Sequence, residues 1–224
     1  MSSNPYQDLP DHQFWRRSVA NVEPFRFDPV VTTRFQVEKN ERVATAGSCF
    51  AQHISNRLAK IGFNYFVTET GAELDPAQRK EQNYGVFSAR YGNLYTTRQL
   101  LQLFQEAFDG RTVAEPAWQR EDGRWVDALR PQILPAGFAS PEEVALERKK
   151  HLAAVRRMFE DCAVFVFTLG LTEAWQSRID GTVYPVAPGV SGGSFDAGQH
   201  EFVNFDVLQV MADLDEALRR HRNS

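Results

Sequence analysis

Arg42-Val43-Ala44-Thr45-Ala46-Gly47-Ser48-Cys49-Phe50-Ala51 runs from a short extended stretch into the start of a helix. Residues 42–46 suit a strand, and a glycine followed by a serine suits the turn that ends it. From Phe50 the apolar positions are Phe50, Ile54, Leu58 and Ile61, which share one helical face, and Gly62 is a natural stop. A strand passing directly into a helix opens an α/β unit. Such a junction can present the hydroxyl of Ser48 to a substrate at a helix N-terminus, where backbone N–H groups favour developing negative charge.

Downstream, Phe63–Thr68 reads as a second strand. Residues 69–95 form a long irregular segment with Gly71, Pro76, Gly85 and Gly92; a structureless loop of that length is unusual and often functional. Thr97–Phe108 is predicted helical, with Leu100, Leu101, Phe104, Ala107 and Phe108 on one face. Asp122-Gly123 marks a β-hairpin within Trp118–Val126, and Asp180-Gly181 marks another between residues 176–179 and 182–184. Ser140-Pro141-Glu142-Glu143 combines an N-cap, a proline at the first helical position and a capping-box glutamate, so a helix is expected to about Asp161. Ala163–Leu169 is almost wholly apolar, as a strand buried on both faces should be. A Gly/Ser-rich loop at 190–198 precedes a last helix, about Phe205–His221, with Val207, Met211, Leu214 and Leu218 on one face.

Upstream, residues 1–41 are an irregular arm broken by Pro5, Pro10, Pro24 and Pro29, expected to wrap the domain and pin Phe14, Trp15, Phe25 and Phe27 to its surface. The element order predicts an α/β domain over 42–224, built on a parallel sheet with hairpin excursions.

The chain has 224 residues, enough for a sizeable core, and a formal net charge of −4. Its basic residues are scattered, which argues against nucleic acid. No basic region followed by an apolar run begins the chain, and no apolar stretch has the length of a membrane span. A cytoplasmic location with reduced thiols is therefore expected for Cys49 and Cys162, whose spacing fits no metal site. No nucleotide-binding or zinc motif is present, so neither a cofactor nor a metal is expected.

Five places could carry chemistry. Ser48 is either a nucleophile attacking an acyl carbonyl or simply a helix cap. Cys49, one position on, is expected to point into helix packing as an inert buried thiol. Gly92-Asn93 can donate to an oxyanion or form a tight turn. Gly170 and Thr172 follow the most apolar strand, at the edge where open parallel sheets gather ligands; the alternative is a plain strand-to-loop turn. Among the histidines, His53 should point away from Ser48 and His151 should lie on a helix surface; His200, after the Gly-rich loop, is the one candidate for a base.

Together these motifs resemble the GSCFA family over nearly the whole chain. Ala44–Ala51 matches the signature that gives the family its name. Asn83-Tyr84-Gly85 with Tyr91-Gly92-Asn93-Leu94-Tyr95 resembles its second block, and Phe167-Thr168-Leu169-Gly170-Leu171-Thr172-Glu173-Ala174-Trp175 its third. The family is related to the Ser-Gly-Asn-His hydrolases. That resemblance implies a three-layer, mostly parallel, flavodoxin-like sheet and an esterase or acyl-transferring activity on a small-molecule or carbohydrate ester. Ser48 would be the nucleophile, and Gly92, Asn93, Gly170 and Thr172 would surround the oxyanion; Thr172 stands where the wider group has Asn. The wider group ends in Asp-x-x-His, and no histidine here has Asp three residues before it. The resemblance therefore implies a chain that stops before the last strand and catalytic block, or else a non-catalytic module that binds an anion or carbohydrate.

Overall fold

A computed structural model describes residues 4–30 and 32–223, with side chains described to His221. The chain divides into residues 1–37 and 38–224, four residues earlier than the expected boundary at 41/42. The first unit holds short turns at Asp11–Gln13, Arg16–Ala20 and Pro24–Arg26. None of its described residues is buried.

The second unit is mixed α/β. Strand β1 (Val43–Ala46) enters helix α1 (Cys49–Lys60) through Gly47-Ser48, as the opening stretch dictates. It pairs in parallel with β4 (Val164–Phe167), in the register Val43↔Val164 to Ala46↔Phe167. The expected second strand reduces to one parallel bridge, Val43↔Tyr65. β4 is half-buried rather than covered on both faces, and β1 is its one ladder partner among the described residues. The remaining strands are antiparallel. Hairpin β2 (Ala117–Gln119) and β3 (Trp125–Asp127) turns at Asp122-Gly123. A second sheet has the order β6-β5-β7, from β5 (Glu173–Ser177), β6 (Val183–Tyr184) and β7 (His200–Asn204). The antiparallel sheets thus hold more strand than the parallel β1–β4 pair does.

Helix α2 (Pro76–Glu81) lies inside the segment expected to be irregular. Asp75 caps it in a capping box with Gln78. Helices α3 (Thr97–Phe108) and α4 (Pro141–Asp161) match the predicted spans and start on caps at Thr96 and Ser140. They enclose the main core of Ala44, Ala46, Phe87, Tyr91, Phe104 and Met158.

Two helices turn part of their expected apolar stripe outward, while Ile54, Leu58 and Leu214 stay half-buried. In α1 the buried residues are the small Ala51 and Ser55, while Phe50 is 63% exposed and Ile61 is exposed. Ser55 ties that face to the segment after α2 by donating to the carbonyl of Val86 at 3.4 Å. In α5 (Val207–Asn223) the buried residues include Asp213 and Ala217, whereas Val207, Met211 and Leu218 are exposed. An ion pair sets this orientation: Asp213 meets Arg98 of α3 at 2.8 Å.

Candidate functional site

Main-chain hydrogen bonds join three turns. The N–H of Leu94 donates to the carbonyl of Gly47 at 2.9 Å, and that of Thr168 donates to Ala46 at 3.1 Å. The N–H of Leu171 donates to Tyr95 at 2.8 Å. The stretches around Ser48, Gly92-Asn93 and Gly170 are thereby held at one end of the β1–β4 pair. Gly47 has φ +142°, and a Cβ on it would lie 2.0 Å from Thr168 Oγ1. A Cβ on Gly170 would lie 3.0 Å from the carbonyl oxygen of Tyr95. Glycine at these two positions lets the strands and loops approach closely.

Ser48 occupies the N-cap position of α1 with extended backbone, φ −91° and ψ −164°, yet its side chain makes no capping bond. The residue is half-buried. Cys49, expected to be buried, is exposed instead. Asn93 Oδ1 and Thr168 Oγ1 are buried and lack partners among the described residues. Thr168 is the site residue that sequence reasoning did not single out, although it stands within the quoted third block. Thr172 is exposed, and its hydroxyl donates to Asn204 Oδ1 at 2.7 Å, so its hydrogen is directed away from an oxyanion role.

His200, the expected base, is not brought to Ser48. It pairs with Ser177 at the end of the β5–β7 ladder opposite Glu173, the neighbour of Thr172. Its ring is buried: Nδ1 accepts from the N–H of Asp196 at 3.2 Å, and Nε2 faces Glu115 at 2.7 Å. Nδ1 is thus occupied as an acceptor and Nε2 is turned to the Glu115 carboxylate, away from Ser48. His53 is exposed on α1, about 140° around the helix from Ser48. His221 packs against Phe104 and Phe159.

Beside α1 lies a pocket of about 120 Å³, walled by Gln52, Gly92, Asn93, Tyr95, Arg130 and Gln132 among others. Gln52 is four residues from Ser48, on the same helical face. Behind the pocket runs a buried electrostatic net. Asp127 accepts from Arg130 at 2.7 Å and from Arg148 at 3.1 Å, and Arg148 also binds Glu106. Arg130 Nη1 donates to the carbonyl of Arg90 at 3.3 Å, next to the Tyr91-Gly92 turn. Burial pushes the Asp127 carboxyl up, but the guanidinium groups of Arg148 and Arg130 outweigh it and hold the pKa at about 2.

Glu69 ties both ends of the long segment to α4: Oε2 accepts from the N–H of Arg90 at 2.6 Å and meets His151 Nδ1 at 2.7 Å. His151, expected on the surface, has a side chain only 1% exposed. Burial, reinforced by the charge of Arg130, drives its pKa down to about 4 despite Glu69. Its folded-state pKa is thus below the ordinary value of 6.5. Between these values the unfolded chain binds a proton that the folded chain refuses, so stability falls as pH drops from about 6.5 to 4. The loss from His151 should approach about 3 kcal/mol at the acid end. Urea midpoints measured across that window should flatten in His151→Gln; an unchanged slope would argue against a buried neutral ring.

Among the described residues no group of three or more His, Cys, Asp or Glu side chains could hold a metal ion, and no helix is long and apolar enough to cross a membrane. The sequence profile of the GSCFA family matches residues 42–224. No curated protein and no solved structure matches the chain.

Proposed function

The chain belongs to the GSCFA family over residues 42–224, and on that premise we propose that its crevice acts on an acyl ester through Ser48. The observation that carries this reading is the Ser48 hydroxyl. It sits at a helix start without capping it, beside a glycine that admits Thr168 and the Leu94 turn. The first N–H groups of α1 favour negative charge there. Ser48 Oγ bonds to the acyl carbon and gives up its proton to solvent water; backbone N–H groups at Ser48, Gly92 and Gly170, with the Asn93 amide, stabilise the oxyanion, whose collapse breaks the ester C–O bond and releases the protonated alcohol, and water then hydrolyses the acyl-serine. β1, β4 and the bridge at Tyr65 are read as the parallel core of a Ser-Gly-Asn-His-type, flavodoxin-like sheet.

A fluorophosphonate probe should label the native chain at Ser48, located by peptide mass mapping. Equal labelling of Ser48→Ala would end the assignment.

The second reading, a module that binds its ligand without turning it over, is favoured by the histidines. Within residues 38–224, His151 and His200 are buried against carboxylates, His53 faces away and His221 packs on aromatics. Turnover of p-nitrophenyl acetate that disappears in Ser48→Ala would exclude this second reading.

A further inference from the structure

Helix α1 contains no acidic residue. It buries Ala51 and Ser55. At about 100° per residue, Phe50, His53, Arg57 and Lys60 fall on its other, exposed side, with Ile61 just past its end. Beside that face runs a groove of about 490 Å³, with Gln52 and Asn56 of α1 on one wall and Arg79 and Lys80 of α2 on the other. Asn56 is three residues from His53 and four from Lys60, so groove and face are continuous. Among the described residues no carboxylate lines the groove.

The sequence scatters its basic residues, but the fold gathers four of them here. Arg57, Lys60, Arg79 and Lys80 take part in no ion pair among the described residues. Arg90, Arg98, Arg130 and Arg148, elsewhere, each meet a carboxylate. Four unmatched cations on a chain of net charge −4 form a local field that attracts an anionic surface. The apolar side chains narrow the choice of surface. Phe50 and Ile61 stand exposed among the cations, where a nucleic acid backbone or an acidic peptide would leave them in water. A bilayer interface takes both kinds of group: its anionic headgroups attract Lys and Arg, and the ring and the aliphatic chain sink to the acyl boundary.

We infer that the outer face of α1, flanked by the cations of α2, docks on a membrane surface that carries anionic lipid. This goes beyond the proposed role of Ser48 and does not rest on it. The full chain is floated with vesicles of phosphatidylcholine alone and of phosphatidylcholine mixed with phosphatidylserine. It should rise with the mixed vesicles only, and the binding should fade as salt is raised to about 0.5 M. Arg57→Gln, Lys60→Gln, Arg79→Gln and Lys80→Gln should each weaken partitioning about fivefold, and all four together should abolish it. Phe50→Ser, at an exposed position with little bearing on folding, should weaken it about five- to tenfold. Arg219→Gln, on the exposed side of α5, should float like the native chain. So should Ser48→Ala, which separates the docking from the ester reading. No flotation with phosphatidylserine, equal flotation with both kinds of vesicle, or unchanged binding in the fourfold variant would overturn the proposal. Retention on immobilised poly-L-glutamate without flotation would assign the face to an acidic protein and overturn it too.

Discussion

Asp127→Ala should cost about 3–5 kcal/mol of folding stability, the loss expected when one partner leaves a buried charge network. The Asp127 side chain is fully buried and holds two guanidinium groups, from Arg130 and Arg148. Arg148 would keep Glu106, but Arg130 would keep no carboxylate, and the N–H of Leu129 would lose its acceptor. Urea unfolding at pH 7 reads the effect, and a loss below about 1 kcal/mol would mean that the net is replaceable. The acid limb gives an independent check. The Asp127 pKa is depressed to about 2 from 3.8, so its contribution is complete above about pH 4 and fades as pH falls through 2. Asp127→Asn should lack that fading component. Because Arg130 also holds the carbonyl of Arg90, Asp127→Ala should disturb the Gly92 turn before the rest of the core.

Gly47→Ala should destabilise the chain by about 2–3 kcal/mol and abolish fluorophosphonate labelling of Ser48. The methyl group would lie 2.0 Å from Thr168 Oγ1 and 3.2 Å from the Thr168 carbonyl oxygen, at a φ of +142° that L side chains rarely adopt. Relief can come only from parting β1 from the Thr168 turn, which moves the hydroxyl of Ser48. Thr168→Ala removes the worst clash but leaves the φ strain and the carbonyl contact. The double variant should therefore recover part of the loss, and the two changes should not add. A Gly47→Ala chain with native stability and native labelling would show that the approach of β1 to Thr168 is not required.

The sequence carried those parts of the fold whose cause is local. α3 and α4 start at caps that lie within four residues of sequence, and both hairpins turn at Asp-Gly. α2 was legible too, since Asp75, Pro76 and Gln78 spell a helix start, but the length of the surrounding segment obscured it. What could not be read was set by distant partners. His151 is buried because Glu69 reaches it from 82 residues away, and α5 turns its Asp213 inward to meet Arg98. β7 exists because β5 offers an edge to it. The site divides in the same way. Ser48 stands between β1 and α1, as its stretch of sequence spells out, whereas Gly92, ahead of α3, and Gly170, between β4 and β5, are joined to it through the bonds of Leu94 to Gly47 and Leu171 to Tyr95. The commitment of Thr172 to Asn204 and of His200 to Glu115 depends on the β5–β7 pairing and on contacts across it, which no spacing rule reveals.

The crevice is laced together by peptide groups: Leu94 to Gly47, Thr168 to Ala46 and Leu171 to Tyr95. Every amino acid except proline can supply such a bond. Apart from Gly47 and Gly170, which must stay without a side chain, these bonds do not depend on side-chain identity, and Leu169 and Leu171 already stand exposed at the lip. Divergence can repaint the mouth, trading one preferred ligand for another, while the frame beneath is inherited intact.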